Sequence, residues 1–407
     1  QLETQMLRAG AGIDRMLGRF RSRDPMCTAI VAYVNCAHRC VHSVAASREP
    51  LLFTPGPLTT SAAVKQSMLT DYGSRDKRFL RVVADVRDRL LRAAGASKAT
   101  GHECVIMQGS GTMGVEAMLG SLVPRGGKVL LVCNGAYGLR QAKICSMLGI
   151  DYDTLEFTDR EVVKLGPVLE KMRQAQFTTM SVVHHETTTG ILNPIEDLSK
   201  AVKKEFPSTQ ILVDSMSGFG AYPVLMDWGV DCFVSSANKC IEGVPGFSFL
   251  IVNRGLLEDS KGRARSLSMD VYDQWAGLEA TGQFRFTPPT HAVLAFETAL
   301  TEWENEGGVD GRAARYKANY DVLREGMEGL GFKFYVPVEE GRSMLISTFH
   351  MPRAKGFDFD TFYDDLSERG FVIYPGKILS GQSFRLGTIG RLFPRDFEQL
   401  IHAVAAS

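Results

Sequence analysis

The sequence carries no net charge and no long apolar run. Lysine plus arginine and aspartate plus glutamate number 46 each among 407 residues. Without a global basic field, nucleic acid is a poor candidate partner. No apolar run approaches the roughly 18 residues that a transmembrane helix requires, so the sequence predicts no membrane span and no membrane partner. Hydrophobic residues at 44% and charged residues at 23% exclude collagen, coiled coil and wholesale disorder as the overall class.

Cysteine is also scarce. Eight cysteines in a chain of this length are too few for a disulfide scaffold. No two are spaced as C-x-x-C, and the closest pair, Cys36 and Cys40, lacks neighbouring ligands that would complete a zinc site. We therefore predict reduced thiols and no metal.

Residues 1–50 lack lysine but contain seven arginines and only four acidic residues. This composition is typical of organelle transit peptides, and an accessory helical extension is the alternative. We predict an N-terminal extension of unknown role, with a cytoplasmic or a mitochondrial location left open.

From Leu51 onward, short apolar runs alternate with segments of helical spacing. Such alternation implies right-handed βαβ crossovers, and apolar runs without internal alternation suit strands buried on both faces. The pattern predicts an α/β fold with a mostly parallel sheet in a large domain, 51–310. A long helical pattern at 312–330 and strand-like runs such as 332–337 then predict a smaller α+β C-terminal domain, 311–407. The predicted strands of the large domain are 103–108, 128–133, 180–185, 210–214, 231–236 and 247–252.

Polar or reactive residues follow most of these strands. In an open parallel sheet, ligands bind at the carboxyl ends of the strands. The loop 109–114 matches G-x-G-x-x-G and opens a helix, so its amides form an anion site. A dinucleotide fold also requires an acid at the end of the next strand, where Asn134 stands. The loop is therefore read as a phosphate cradle helped by the Ser110 and Thr112 hydroxyls, or as a tight turn without a ligand.

Two further strand ends carry Asp214 and Lys239. Asp214 is either a helix N-cap or the partner of a ring cation. Lys239 is either a surface lysine or, in its setting of small residues, a buried nucleophile. A phosphate cradle, an anion for a pyridine nitrogen and a lysine for a Schiff base are together what pyridoxal 5'-phosphate requires. The sequence therefore predicts that cofactor.

Several longer motifs resemble one family, the 2-aminoethylphosphonate–pyruvate transaminases, which are fold-type I, class V aminotransferases. The resemblance runs from about Leu51 to the C-terminus. It implies a mostly parallel seven-stranded sheet and a homodimer with active sites at the subunit interface. The motifs are LLFTPGPLTT, DYGSRD, QGSGTMGVEA, HHETTTGILNPI, VDSMSGFGAYP, SSANKCIEGVPGF, FRFTPPTH and FRLGTIG.

The resemblance also implies a role for each site residue. Lys239 would form the Schiff base, Asp214 would bind the pyridine nitrogen, and Tyr137 would stack on the ring. The remaining cofactor contacts would come from Ser110, Gly111 and Thr112 at the phosphate, Thr187 at the ring hydroxyl, Met216 and Asn238 in the pocket wall, and Thr287, with Thr290 as a rival, at the partner's phosphate.

Arg385 would bind the anionic end of the substrate, because a planar, always-charged guanidinium suits a phosphonate or a carboxylate. A surface arginine in a strand is the alternative. The cluster His184-His185-Glu186 lacks the spacing of a zinc motif, so we interpret it as a strand end plus pocket wall.

The implied reaction is ping-pong transamination of 2-aminoethylphosphonate with pyruvate, giving phosphonoacetaldehyde and L-alanine in phosphonate catabolism. The alternatives are another class V activity such as alanine–glyoxylate transamination, an NAD-dependent oxidoreductase resting on the loop 109–114, and a non-catalytic binding protein that kept the fold. The intact Lys239, Asp214 and Arg385 argue against the last of these.

Overall fold

The structure is a computed structural model that describes residues 49–337, 341–353, 356–376 and 383–407. The predictions for the N-terminal extension and for the pair Cys36 and Cys40 lie outside these residues. Residues Pro50–Ser407 form one unit. None of the helices within the described ranges is long and apolar enough to cross a membrane.

The described strands are numbered in chain order. They are β1 (Leu51–Leu52), β2 (His102–Gln108), β3 (Lys128–Cys133), β4 (Asp151–Glu156), β5 (Thr179–Val183), β6 (His185–Glu186), β7 (Ile191–Leu192), β8 (Gln210–Asp214), β9 (Cys232–Ser236), β10 (Phe247–Asn253), β11 (Ile346–His350), β12 (Phe371–Val372), β13 (Tyr374–Pro375) and β14 (Ser383–Gly387).

The described α-helices are numbered in the same way. They are α1 (Ala62–Gln66), α2 (Lys77–Ala93), α3 (Gly111–Leu122), α4 (Ala136–Met147), α5 (Leu165–Arg173), α6 (Ile195–Glu205), α7 (Arg254–Asp259), α8 (Val271–Thr281), α9 (Thr290–Asn305), α10 (Gly308–Gly329), α11 (Phe359–Glu368) and α12 (Pro394–Ala406).

A seven-stranded sheet in the order β2-β10-β9-β8-β5-β3-β4 forms the centre of the fold. All its strands run in one direction except β10, which pairs antiparallel with both β2 and β9. The predicted mostly parallel α/β sheet is therefore confirmed. Its edge strand β4 was not predicted, because the polar sequence DYDTLE lies half exposed and lacks the apolar run of a buried strand.

Both faces of this sheet are buried. Along β2, Cys104 and Ile106 belong to one apolar cluster, whereas Val105 and Met107 belong to another. Because successive side chains of a strand point to opposite faces, these are the two cores between the sheet and its covering helices. The parallel strands therefore all end at one edge, which positions their carboxyl-terminal loops together.

The C-terminal region contains a three-stranded antiparallel sheet in the order β11-β14-β13. Strand β1 pairs in parallel with β12, and Phe53 packs edge-on against Phe397 at 5.0 Å between ring centroids. The predicted strand at 332–337 is wrong, because only Phe334 forms a bridge, to Phe349. The segment is apolar because its rings pack into the core of this region. The division between residues 310 and 311 stays a prediction.

Candidate active site

A cavity of about 200 Å³ opens at the carboxyl edge of the central sheet. It collects residues from the ends of β2, β3, β5, β8 and β9, as the topology requires. The predicted site residues that line it are Ser110, Gly111, Thr112, Tyr137, Thr187, Asp214, Met216, Asn238 and Lys239. The other lining residues are Arg140, Val183, His185, Ser217, Ser236, Pro245 and Gly246.

The anion cradle is the N-terminus of α3. Ser110 caps the helix, and its Oγ accepts a hydrogen bond from the Met113 amide at 3.4 Å. A Cβ at Gly111 would lie 2.3 Å from the Met216 sulfur, so the flexible Met216 side chain would have to move to admit one. The first amides of the helix and the Thr112 hydroxyl thus border the cavity, where a helix N-terminus favours an anion. The predicted loop 109–114 is shorter than expected, because the helix begins at Gly111.

Asp214 ends β8 and is only 4% exposed. Its Oδ1 accepts the Met216 amide at 3.0 Å. Burial raises the pKa of this carboxyl to about 6, against the lowering effect of that amide and of the positive charge of Arg140. The residues directly after Asp214, 215–225, form turns and no helix, so the helix-cap alternative does not hold. A buried carboxylate beside a cavity is suited to pairing with a cation.

Lys239 lies in the turn that follows β9, and it shares the cavity with Asp214. Its Nζ donates a hydrogen bond to the carbonyl of Pro55 at 2.5 Å. Gly56, at φ +128°, has a backbone that L side chains rarely adopt, and a Cβ there would lie 2.5 Å from Nζ. The lysine is therefore enclosed by the turn at residues 55–56 rather than extended into solvent.

Tyr137 lies in the first turn of α4, which has no side-chain cap of its own. The buried carboxylate of Glu186 supplies one, because its Oε2 accepts the Tyr137 amide at 3.1 Å. Burial raises the pKa of Glu186, and the Thr188 hydroxyl donates to its other oxygen at 2.5 Å. The cluster that we interpreted as pocket wall thus also caps the helix that carries the predicted stacking ring.

Arg140 is a site residue that the sequence did not reveal. It stands one helical turn after Tyr137, and its guanidinium lies 4.5 Å from the centre of that ring. It also donates to the Thr112 hydroxyl at 3.3 Å. The signal was the three-residue spacing within α4, which places both side chains on one helix face.

Arg385 and Thr287 do not line the cavity. Arg385 is 1% exposed, and its Nη1 donates to the carbonyl of Thr187 at 3.1 Å, directly behind a lining residue. Burial lowers the pKa of this guanidinium, which also hydrogen-bonds the side chain of Tyr137. Thr287 is exposed, and its carbonyl accepts from Gln108 at 2.9 Å. Its rival Thr290 is the first residue of α9.

The two histidines after β5 are buried and neutral. Nδ1 of His184 contacts Ser215 at 2.9 Å, and Nδ1 of His185 contacts Ser217 at 2.8 Å. Burial lowers their pKa values to about 4 and about 3. No group of three metal-ligating side chains occurs among the residues that the structure describes. His185 and Ser217 line the cavity, and Ser217 lies in the strand-end stretch 214–217, to which the sequence assigned no role for this serine.

Comparisons with known proteins agree with this geometry. Residues 61–378 match the family model described as aminotransferase class-V. A 2-aminoethylphosphonate–pyruvate transaminase of Phocaeicola vulgatus is 46% identical over 88% of this chain and 98% of its own. Its counterpart in Rhizobium meliloti is also 46% identical, over 88% of this chain and 93% of its own.

Among solved structures, an alanine–glyoxylate aminotransferase from Nostoc sp. superposes with a TM-score of 0.81 at 25% identity, covering 88% of this chain and 95% of that one. The family match over residues 61–378 includes every residue that lines the cavity. This chain therefore belongs to the class-V aminotransferases, in the family that includes the 2-aminoethylphosphonate–pyruvate transaminases.

Proposed function

We propose that this chain transfers the amino group of 2-aminoethylphosphonate to pyruvate with pyridoxal 5'-phosphate as cofactor. The products are phosphonoacetaldehyde and L-alanine, and the role is phosphonate catabolism. One observation carries the proposal: the α3 cradle, Asp214 and Lys239 border a single cavity. Relatives at 41–46% identity carry the name of this activity.

The residues present fit this cofactor. The first amides of α3 with Ser110 and Thr112 would hold its phosphate, and Tyr137 would cover one face of its ring. Asp214 is buried, and the positive charges of Arg140 and Lys239 offset only part of the effect of burial on its pKa, so a pyridinium would supply further positive charge beside the carboxylate. When bound, the cofactor supplies an electron sink for a carbanion next to the amino nitrogen.

The protein's own groups then have distinct tasks. Lys239 would bind the cofactor covalently and, once released by the incoming amine, would move a proton with its Nζ. The carbonyl of Pro55, which accepts from Nζ at 2.5 Å, would hold that amine in place at the cavity. Tyr137 and Met216 would confine the ring and keep water from the reacting carbon.

Arg385 would bind the anionic end of both substrates, the phosphonate of the donor and the carboxylate of the acceptor. Its guanidinium now donates to backbone carbonyls of Thr187 and Pro375, which hold it in one orientation without neutralising its charge. A second subunit would complete the site, with Thr287 reaching the partner's phosphate. The homodimer is thus part of this proposal.

The deciding experiment is an absorption spectrum of the purified protein. We expect a visible band that bleaches when 2-aminoethylphosphonate is added and returns with pyruvate. Lys239→Ala should lose both the band and turnover, whereas Lys200→Ala, at an exposed lysine paired with Glu196, should lose neither. Multiple turnovers by Lys239→Ala would contradict the role of Lys239. A band that bleaches with alanine and returns with glyoxylate, but does not respond to 2-aminoethylphosphonate, would favour alanine–glyoxylate transamination.

A further inference from the structure

The turn that carries Lys239 continues into a residue with an unusual backbone. Glu242 has φ 66°, and it is the one non-glycine residue with positive φ in the described ranges. Its amide donates to the Lys239 carbonyl at 2.7 Å and so closes the turn on the lysine. A residue other than glycine stays at positive φ only where its surroundings impose that conformation. Whatever holds Glu242 therefore also sets the backbone from which Lys239 projects.

Helix α10 holds Glu242 from one side. Oε1 of Glu242 accepts the Tyr316 hydroxyl at 2.6 Å and Nη2 of Arg315 at 2.7 Å. Nη1 of Arg312 lies 3.3 Å from the same oxygen and also donates to the carbonyl of Cys240. Glu242 and Arg312 are at most 1% exposed, so these contacts form in a desolvated interior. The helix thus binds both the side chain and the backbone of the lysine turn.

The same side chains of α10 hold the segment that follows the strand of Arg385. The Tyr316 hydroxyl accepts the Gly390 amide at 3.2 Å, and Nη1 of Arg315 donates to the Gly390 carbonyl at 2.7 Å. One phenolic oxygen therefore bridges Glu242 and Gly390. Through it, the turn of Lys239 and the chain just beyond β14 are connected by two hydrogen bonds.

The charges of this cluster balance. Glu306 accepts Nε of Arg312 at 2.9 Å and Nε of Arg315 at 2.6 Å. Two carboxylates therefore face two guanidinium groups. Removing one partner from such a buried set leaves an uncompensated charge, which makes the arrangement hold or fail as a unit. A cluster of this kind is rigid enough to fix a distance between the elements that it joins.

We propose that Glu242 is a positioning residue for Lys239, and that Tyr316 and Arg315 tie it to the segment behind Arg385. Helix α10 then sets the spacing between the reacting amine and the guanidinium that would bind the substrate anion. The inference rests on the proposed function only for the roles of Lys239 and Arg385. The connection between their two segments rests on the hydrogen bonds alone.

Two variants test the connection. Tyr316→Phe removes the bridging oxygen without changing charge, and Glu242→Gln keeps an accepting oxygen but removes a charge. In both, we expect kcat to fall about tenfold or more while KM for both substrates stays within about threefold, because positioning acts on the chemical step. Lys317→Met is the control, since Lys317 lies on the same helix, is exposed and pairs with Asp321 at 2.6 Å.

A second readout requires neither cofactor nor substrate. In cofactor-free protein, reductive methylation of each lysine by formaldehyde and cyanoborohydride is followed by mass spectrometry. We expect the rate at Lys239 to change about threefold or more in both variants, with the other lysines unchanged. This result stands even if the protein proves to transaminate another donor.

Unchanged labelling of Lys239 together with wild-type kcat in folded variants would overturn the proposal. So would a lowered melting temperature with no change in either readout, since that outcome describes a purely structural cluster. If Glu242→Gln does not fold, Tyr316→Phe decides alone, because it leaves all four charges in place.

Discussion

At the scale of single residues, the site depends on one buried carboxylate. Asp214 is held out of water at the end of β8, and the hydrogen bond from the Met216 amide offsets only part of the desolvation cost. Its raised pKa, about 6, means that the fold disfavours the charged form. The same burial makes the carboxylate bind a ring cation strongly. Burial of this carboxylate therefore favours cofactor binding but lowers the stability of the cofactor-free chain.

The raised pKa of Asp214 predicts how the stability of the protein depends on pH. The folded state holds the Asp214 proton more tightly than the unfolded chain, whose pKa is about 3.9. Stability of the cofactor-free protein therefore falls as pH rises from about 4 to about 6, by an amount on the order of 3 kcal/mol for this group.

Asp214→Asn should remove that loss while keeping an oxygen for the Met216 amide. In urea titrations, we expect the cofactor-free variant to be more stable than the parent at pH 7 by roughly 2–3 kcal/mol, and equal to it near pH 4. The variant should nevertheless lose activity. A stability difference that is the same at both pH values would contradict the account.

At the scale of elements, the anion cradle is positioned by how closely α3 approaches the sheet. Gly114 makes this approach possible, because a Cβ there would lie 2.4 Å from the Ser248 Oγ and 3.0 Å from a methyl of Val234. Val234 and Ser248 stand on β9 and β10, which pair with each other in the central sheet. The N-terminus of the helix is thereby brought to the carboxyl edge where the cavity opens.

Two substitutions on α3 distinguish the effect of its close approach to the sheet from the effect of helix propensity. Gly114→Ala should destabilise the protein by about 1–3 kcal/mol through overpacking and should weaken cofactor binding. In Gly120→Ala, the new Cβ would lie 3.2 Å from a flexible methyl of Leu148. Because the gain in helix propensity offsets this small crowding, stability should stay nearly unchanged. Urea midpoints of the two variants provide the measurement, and equal losses would show that the approach of α3 to the sheet is not the cause.

At the scale of the whole molecule, the site is assembled from distant parts of one unit. Lys239 bonds to Pro55, near the start of Pro50–Ser407, and its turn is held by α10. Strand β1 pairs with β12, which ties the beginning of the unit to its C-terminal region.

We therefore predict that Pro50–Ser407 expressed alone keeps cofactor binding and the unfolding temperature of the full chain. The measurement is a pair of melting curves with added pyridoxal 5'-phosphate, together with the visible spectrum. A chain that starts at Leu58 should fail, because it lacks both Pro55, which accepts from Lys239, and β1, the partner of β12. Loss of the band in Pro50–Ser407 would contradict this prediction.

Local sequence patterns predicted much of the fold and many of the residues at the cavity. Strands β3 and β8 begin and end as their apolar runs predict, since such runs report burial on both faces. The rule that parallel strands end at one edge then placed Asp214 and Lys239 beside one cavity. The segment 332–337 shows the limit, because an apolar run also arises where aromatic rings pack without a strand.

The order of residues along the chain thus determined which side chains stand at strand ends, because strand periodicity and turn chemistry are local. It left open that Arg385 is buried behind Thr187, that Arg140 faces the ring of Tyr137, and that Glu242 is held by α10. Those relations join segments far apart in the chain, and they depend on how helices and sheets pack around shared charges in a dry interior. Only the assembled molecule specifies such distances.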